Sequence, residues 1–309
     1  MMRFDPGLRP DRLRRHAKYF PMYRNWPAAF ARIVVAADPS TLDSFAIMSL
    51  TSFAPRAPQV SAVARSDGAR SDKSLGRGQL GLLGGMGSEA AAHFLRVLAQ
   101  RTPARVDQQH VPFLLLSCPA IPDRSDAIMS GDLGVRDQIL LNLTALEQAG
   151  CAAVAIPCNT AHHWRTYFSA HLSVPFIDIV EATVEQLVAL RRRRVAILGT
   201  RATIECRLYA EPLAGRGILT LDMPAQLTAC VEGIITLVKA GQPAPAALAL
   251  RDVLKQLHAL DPDAIVLGCT ELSMIAPPPG PLPLVDPDSC LADACITWWR
   301  ERGVATAPN

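Results

Sequence analysis

The chain has 309 residues, of which 50% are hydrophobic and 19% are charged, so it can bury a core and is not a disordered protein. No apolar run approaches the roughly 20 residues that cross a bilayer, and no N-terminal stretch reads as a secretory signal. Eight cysteines without a CxxC pair exclude a disulfide scaffold and argue against a structural zinc site. We expect a cytoplasmic protein with no membrane partner.

Charge is unevenly distributed along the chain. Residues 1–78 hold 13 Lys and Arg against 6 Asp and Glu, whereas the remainder holds 18 against 22. The formal net charge of +3 therefore arises in the N-terminal segment, and a nucleic-acid partner for the whole protein loses its main support. We interpret residues 1–78, with their arginine clusters, scattered prolines and polar stretch, as a flexible or irregular N-terminal extension without chemistry of its own.

From residue 79 onward, short apolar runs alternate with amphipathic segments of helical period. Each run has about four to six residues bounded by Gly, Pro or polar residues, which is typical of strands buried on both faces. This alternation predicts an α/β fold with doubly wound parallel sheets. The predicted strands are Leu80–Leu83, Val111–Leu116, Ala153–Ile156, Val174–Ile177, Val195–Leu198, Ile218–Leu221, Ala264–Leu267 and Leu282–Val285.

An internal repeat divides this region into two similar lobes. Three markers recur in the same order at offsets of 115, 111 and 108 residues, which indicates a duplicated unit. We predict a first lobe over 79–178 and a second over 179–285, related by pseudo-twofold symmetry, with a C-terminal helix over 286–304 that packs back on the first. The paired markers are Leu80–Gly84 with Val195–Gly199, Ala153–Thr160 with Ala264–Glu271, and Pro175–Asp178 with Pro283–Asp286.

Three turns carry the candidate chemistry, because ligands in open α/β sheets bind beyond the carboxyl ends of strands. Gly84–Gly87 follows the first predicted strand and precedes a helix that starts near Ser88. Cys158–Thr160 and Cys269–Glu271 occupy equivalent strand-to-helix turns of the two lobes. A helix N-terminus favours thiolate over thiol, and pseudo-twofold packing would bring the two cysteines face to face across a cleft.

Two facing thiols suit the racemisation of a carbon acid. One base removes a proton from one face of the carbon, and an acid returns a proton to the other face. An unperturbed thiol titrates near about 8.5, so modest tuning supplies one thiolate and one thiol at neutral pH. Backbone N–H groups and the side chains of Asn159, Thr160 and Thr270 are candidates to stabilise the developing negative charge without a cofactor.

The same residues carry a resemblance to a known family. Gly84–Gly87, Pro157–His162 and Leu267–Glu271 resemble the signature segments of the aspartate/glutamate racemases, and of the aspartate racemase branch in particular. The resemblance extends from about residue 80 to 297 and leaves out the N-terminal extension. It implies that Cys158 and Cys269 are the catalytic acid/base pair, that the substrate is an amino acid, that pyridoxal phosphate and other cofactors are not required, and that the protein forms a homodimer.

The resemblance also implies a set of substrate-binding residues. Asn159, Thr160, Thr270 and Met86 match positions that hold the substrate α-carboxylate, and Thr200 is a further candidate of this type. Arg124, in the segment Ile121–Arg124, matches an arginine that binds the side-chain carboxylate of aspartate, since a guanidinium pairs bidentately with that group.

One departure from the family pattern leaves the preferred amino acid open. Glu205 stands where aspartate racemases usually carry lysine, and a glutamate there would repel a dicarboxylate unless it faced away. Arg207 is a candidate to compensate from the next turn. Glutamate racemases, in contrast, carry histidine at the position of Glu271.

Two other kinds of function fit the same sequence. Relatives with paired cysteines isomerise maleate or racemise hydantoins, and these enzymes would share the fold while differing in substrate. A non-catalytic amino-acid-binding module is a third hypothesis, although binding alone does not require two thiols. Assays of maleate and hydantoins beside amino acids would distinguish the enzymes, and exchange of the α-proton would distinguish a racemase from a binding module.

Overall fold

The structure, a computed structural model, describes residues 78–278, 280 and 282–302. The prediction of an extension over residues 1–78 falls almost entirely outside the described residues. All structural statements below concern the described part of the chain.

The first lobe is built on a four-stranded parallel sheet in the order β2-β1-β3-β4. Helix α1 begins at Ser88, where the glycine turn predicts it. The strands are β1 Leu80–Gly84, β2 Phe113–Ser117, β3 Ala153–Ala155 and β4 Phe176–Ile177. The helices are α1 Ser88–Arg101, α2 Arg124–Ser130, α3 Leu133–Gln148, α4 Arg165–His171 and α5 Ile179–Ala189, with short 3₁₀ turns at Asp107–Gln109 and Thr160–Trp164.

The second lobe repeats this topology. Its four parallel strands follow the order β6-β5-β7-β8, so the second strand again lies outside the first and the third and fourth lie on the other side. The strands are β5 Arg194–Gly199, β6 Leu219–Thr220, β7 Ala264–Gly268 and β8 Leu284–Val285. The helices are α6 Arg201–Glu205, α7 Ala210–Gly215, α8 Ala225–Lys239, α9 Pro243–Leu257, α10 Thr270–Met274 and α11 Pro287–Glu301, with a 3₁₀ turn at His258–Leu260.

Both faces of the two central strand pairs are buried, as the unbroken apolar runs predict. Leu80 and Leu82 of β1 pack in a core shared with Val195 and Ile197 of β5. The alternate residue Leu83 faces a separate core formed with α3 and α4. Leu198 and other alternate residues of the second sheet face α8 and α9. The two lobes therefore share one hydrophobic core between their sheets, and each lobe has a second hydrophobic core on the other face of its sheet.

The edge strand β2 differs from the expectation of burial on both faces. Phe113 and Leu114 are 40% and 38% exposed, because β2 is an edge strand that pairs with β1 alone. The fourth strands β4 and β8 are also shorter than predicted, with two residues each.

The helix that follows the fourth strand of each sheet packs against a helix associated with the other sheet. Helix α11 follows β8 of the second sheet and packs against α1 of the first lobe, where Arg101 pairs with Asp293. Helix α5 follows β4 of the first sheet and packs against α7, where Arg216 pairs with Glu181 at 2.6 Å. Both helices also pack on each other. The lobe boundaries at 178 and 285 stay predictions.

Among residues 78–302 with the two gaps noted above, no helix combines the length and the apolar character that crossing a bilayer requires.

Candidate active site

A narrow cavity lies where the carboxyl ends of strands from the two sheets meet. All eight of the predicted site residues line it, and four further polar or charged residues join them. The lining residues are Met86, Asp123, Arg124, Ser125, Cys158, Asn159, Thr160, Thr200, Lys239, Cys269, Thr270 and Glu271. The two lobes therefore contribute to one site, as a cleft between duplicated units predicts.

The two cysteines sit in matching turns. The backbone N–H of Cys158 donates to the carbonyl of Ile156 at 2.8 Å, and that of Cys269 donates to the carbonyl of Leu267 at 2.7 Å. Gly268 lets the second turn form, since a Cβ there would lie 2.9 Å from the carbonyl oxygen of Leu198. The residues are 6% and 5% exposed. Both thiols thus face the same cavity from equivalent positions of the two lobes.

His162 supports the turn that holds Cys158. Its Nδ1 lies 2.9 Å from the carbonyl oxygen of Cys158, and its Nε2 accepts a hydrogen bond from the backbone N–H of Ile179 at 3.2 Å. Because Nε2 is an acceptor, the proton is on Nδ1, which donates to Cys158. Burial lowers the pKa of His162, and this effect outweighs the carboxylate of Asp178 at 3.9 Å. His162 is therefore a neutral positioning residue and not a charged acid.

Glu271 is the direct partner of Cys269. The Cys269 Sγ donates to Glu271 Oε2 at 2.9 Å, and the Thr270 hydroxyl donates to the same oxygen at 3.2 Å. Burial and the neighbouring Glu271 carboxylate raise the pKa of the Cys269 thiol well above its ordinary value. Sequence reasoning used Glu271 to exclude glutamate racemases and missed this contact, although its place two residues after the cysteine was the available signal.

Asn159 presents an unused donor to the cavity. The Tyr209 hydroxyl donates to Asn159 Oδ1, and burial raises the pKa of Tyr209, so it stays a neutral donor. This bond fixes the amide, and its Nδ2 has no partner within the described residues. A buried donor without a partner costs free energy, so this group is well suited to bind an anionic ligand atom.

Three threonine hydroxyls join the lobes beside the cysteines. Thr200 Oγ1 lies 3.0 Å from both Thr160 Oγ1 and Thr203 Oγ1. Thr160 follows Cys158, whereas Thr200 and Thr203 begin helix α6 of the second lobe, where Thr200 accepts a hydrogen bond from the Thr203 backbone N–H. Thr203 is 2% exposed and anchors the cluster. Thr200 is thereby placed next to Thr160, as its prediction as a binding residue requires.

Arg124 crosses the floor of the cavity. One terminal nitrogen donates to the carbonyl of Pro122 at 2.9 Å, and the other donates to the carbonyl of Met86 at 3.0 Å. Its Nε has no partner within the described residues. Arg124 is 7% exposed, so a ligand carboxylate has this remaining edge of the guanidinium to bind.

The glycine turn brings Met86 to the cavity. Gly85 has φ +92°, and a Cβ at this position would lie 2.5 Å from the backbone of Cys118. Only glycine fits that conformation and that close approach. The Met86 carbonyl then accepts from Arg124, so the turn and the arginine fix each other.

An ion pair closes one side of the cavity. Lys239 Nζ, at the end of α8, lies 3.1 Å from Asp123 Oδ2 of the first lobe. Burial lowers the pKa of Lys239, but the carboxylates of Asp123 and Glu271 outweigh it and the net shift is upward. The pair also borders a second, more open cavity that extends to Glu89 and Gly241. The sequence did not predict Lys239, because 116 residues separate it from its partner.

Glu205 and Arg207 lie away from this site. Glu205 Oε1 is 2.6 Å from Arg201 Nε at an exposed position of α6, so it does not repel a ligand in the cavity. Arg207 is exposed and does not line the cavity. The idea that Arg207 compensates for the missing lysine is therefore wrong, since its side chain starts on the outer surface. Lys239 is a cation that does line the cavity.

No group of three or more His, Cys, Asp or Glu side chains suited to a metal ion occurs in the part of the chain that the structure describes.

Comparison with known proteins shows the family of the chain. Residues 83–295, more than half of the chain, match the family model described as Asp/Glu/Hydantoin racemase. The chain belongs to this family of isomerases. Its two parallel sheets are the fold of the family.

Particular relatives show the same likeness over most of their length. The chain is 27% identical to the broad specificity amino-acid racemase RacX of Bacillus subtilis, over 71% of this chain and 96% of the relative. The solved aspartate racemase of Picrophilus torridus is 30% identical, with a TM-score of 0.66 over 72% of this chain and 95% of that one. A glutamate racemase of Francisella tularensis, solved with D-glutamate, shares the fold at 17% identity and a TM-score of 0.57, over 76% and 86%.

Proposed function

We propose that the protein is a cofactor-independent amino-acid racemase in which Cys158 and Cys269 exchange a proton with opposite faces of the substrate α-carbon. One observation carries this proposal: two cysteines from equivalent turns of the two lobes line the same cavity. Neither is engaged in a disulfide. A binding protein would not need two thiols there, whereas two-base racemisation needs one acid/base group on each side of the carbon.

The reaction conserves protons at each step. A thiolate removes the α-proton from one face and becomes a thiol, while the C–H electron pair moves into the carboxylate to form an enediolate. The opposite thiol then donates its proton to the other face and becomes a thiolate. The product is the other enantiomer, and the two sulfur atoms have exchanged protonation states. In the reverse direction the same two groups change roles.

The negative charge that develops on the α-carboxylate needs fixed donors. The unpartnered Asn159 Nδ2 and the hydroxyls of Thr160 and Thr200 lie at the cavity wall beside Cys158, whereas the Thr270 hydroxyl beside Cys269 already donates to Glu271. Donors held before the reaction stabilise charge without reorganisation. We therefore place the α-carboxylate between these residues.

Two cations that line the cavity suit an acidic amino acid, of which aspartate is the first candidate, even though Asp123 and Glu271 also line it. Arg124 offers its Nε from the first lobe, and Lys239 offers its ammonium from the second. Either cation can bind a side-chain carboxylate, and the arginine can do so through two parallel hydrogen bonds. Glu205, which counted against aspartate, is paired with Arg201 outside the cavity.

Proton exchange in deuterium oxide tests the proposal. The full chain is incubated with each member of a panel of amino acids, and with maleate and a hydantoin, without added cofactor. We expect α-deuterium incorporation and formation of the opposite enantiomer, detected by NMR and chiral chromatography, with aspartate among the reactive substrates. The variant Cys230→Ala, which changes an exposed cysteine outside the cavity, should keep the wild-type rates.

Two outcomes would contradict this function. Reaction of maleate or the hydantoin without reaction of any amino acid would favour another activity on the same fold. Tight binding of an amino acid without exchange would favour a non-catalytic module. The predicted homodimer and the cytoplasmic location stay predictions.

A further inference from the structure

The two half-sites of the cavity differ in one charged contact. Cys269 Sγ donates to the Glu271 carboxylate at 2.9 Å. The Sγ of Cys158 has no hydrogen-bond partner within the described residues, and its neighbour Thr160 occupies the place that corresponds to Glu271. The two thiols are nevertheless almost equally exposed, at 6% and 5%, so access does not distinguish them.

We propose that Glu271 is a positioning residue that keeps the proton on Cys269 in the free protein, so that Cys158 is the base and Cys269 the acid in the first turnover. This inference rests on the proposed racemisation for its catalytic meaning. Its physical basis is the hydrogen bond from the thiol to a buried carboxylate, which would become a repulsive contact between two anions if Cys269 lost its proton.

The surrounding charges do not reverse this preference. Lys239 favours a Cys269 thiolate, but its ammonium is paired with Asp123 at 3.1 Å. Cys158 and Glu271 both act in the opposite direction. Asp288 also faces Glu271, and burial raises the pKa of its carboxyl well above the ordinary value. This shift disfavours a further negative charge beside Glu271.

The arrangement also explains how the free protein could return to its starting state. After one turnover Cys269 is a thiolate beside the Glu271 carboxylate, whereas Cys158 is a neutral thiol. The repulsion at Cys269 favours uptake of a proton there and its release from Cys158 through solvent. One charged neighbour thus gives the pair a preferred resting state.

Alkylation of the free protein with iodoacetamide measures this difference directly, because the thiolate and not the thiol reacts. The full chain is sampled over time between about pH 7 and pH 10, and peptide mass spectrometry gives a rate for each cysteine. We expect Cys158 to react at least about tenfold faster than Cys269, since one pKa unit changes the thiolate fraction tenfold.

The variant Glu271→Gln removes the charge and keeps the size of the side chain. We expect the alkylation rate of Cys269 to rise about tenfold and its pH profile to move to lower pH, with the rate of Cys158 little changed. Glu211→Gln is the matched control, because Glu211 is exposed and lies outside the cavity. It should leave both rates at their wild-type values.

Two other cysteines serve as internal references in the same samples. Cys230 is exposed and reports the reactivity of an open thiol. Cys295 is 0% exposed and becomes reactive only if the variant unfolds. A purely structural role of Glu271 would expose Cys295, whereas the proposed role changes Cys269 alone.

Three results would overturn the inference. They are equal alkylation of Cys158 and Cys269 in the wild-type protein, an unchanged rate of Cys269 in Glu271→Gln with Cys295 protected, and a slower rate, which would make Glu271 a base that ionises the thiol. Alkylation needs no substrate. A protein that racemised no amino acid would therefore refute the proposed function without altering this result.

Discussion

The two halves of the active site share a scaffold and differ in how each holds its cysteine. The turn of Cys158 is supported from below by the neutral ring of His162, which also accepts from the backbone N–H of Ile179. The turn of Cys269 has a serine at the corresponding place, and Ser273 donates to Asp286 at 2.6 Å. The charged contact of this second turn is made instead by Glu271, two residues after the cysteine.

The two lobes share their backbone features and differ in the side chains around each cysteine. Asp178 and Asp286 both cap the helix that follows the fourth strand, by accepting from backbone N–H groups of its first turn. The cysteine turns, the strand orders and these caps are common to both lobes. The residues around each sulfur are not. Two-base chemistry needs opposite protonation states, and different neighbours provide them where identical neighbours would not.

Loss of either sulfur gives the largest expected effect. Cys158→Ala and Cys269→Ala should each reduce racemisation by at least about 10²- to 10⁴-fold, because each removes one of the two acid/base groups. Exchange of the α-proton could survive for one enantiomer in each variant, with opposite preference in the two. Chiral chromatography measures the first effect and NMR in deuterium oxide the second.

Racemisation at the wild-type rate by either cysteine variant would show that the reaction does not require both thiols. Cys230→Ala is the matched control, since it removes a sulfur from an exposed position of α8.

The two cations of the cavity come from different lobes. Removal of the Lys239 cation should give the second largest loss of activity. Lys239→Met should lower kcat/KM for aspartate about 10- to 100-fold, since one charge-assisted hydrogen bond contributes about 1.5–3 kcal/mol. A neutral amino acid that the wild-type protein accepts should keep its kcat/KM. Steady-state kinetics with both substrates measures the difference.

An equal loss for acidic and neutral substrates would assign Lys239 a structural role in the ion pair with Asp123. Asp123→Asn provides the comparison, because it breaks the same pair while leaving the ammonium in place.

Most of the fold and the main residues of the site can be predicted from the sequence. Eight apolar runs predict eight strands at the observed places, and the repeated markers predict two lobes of like topology. Both cysteines could be identified as candidate catalytic residues because each follows a predicted strand, and the ends of strands can be located from the local sequence pattern. All of the predicted binding residues reach the cavity.

The missed features depend on contacts that the local pattern does not encode. Lys239 ends an amphipathic helix and looks like an ordinary C-terminal cation until Asp123 of the other lobe is placed beside it. Glu205 seemed to oppose an acidic substrate, yet the helix that carries it turns its side chain to Arg201. Phe113 lies in an apolar run but at a sheet edge, and strand order is what exposes it.

The turns of Cys158 and Cys269 are supported by different residues, His162 and Ser273. Substitution of each residue tests how much it contributes to stability. His162→Ser places the residue of the second lobe in the first, and leaves the Ile179 N–H and the Cys158 carbonyl without their partner. Each unsatisfied buried group costs about 1–3 kcal/mol, so urea unfolding should show a loss of that order. Ser273→Ala removes the hydroxyl bond to Asp286 and should cost about 1 kcal/mol.

A stability loss in Ser273→Ala as large as that in His162→Ser would mean that the two supports are equivalent despite their different chemistry.

The smallest expected effect concerns acid pH. Burial lowers the pKa of His162 in the folded protein, so the unfolded chain binds a proton near about pH 6.5 that the folded protein does not. This contribution to stability is complete above that pH and is lost as the pH falls towards the lowered pKa. One such proton changes the unfolding free energy by about 1.4 kcal/mol per pH unit. His162→Ser should flatten the decline by up to this amount in urea titrations below pH 6.5.

An unchanged slope in that variant would mean that other groups cause the acid sensitivity.

The exchange of terminal helices between the lobes has a consequence for the integrity of the chain. Helix α5 leaves the first sheet to lie against α7, and α11 returns from the second sheet to lie against α1. A polypeptide cut in the loop between α5 and β5 would yield two pieces, each carrying the helix that completes the other's interior. We expect such fragments to recover their structure by reciprocal complementation when they are mixed.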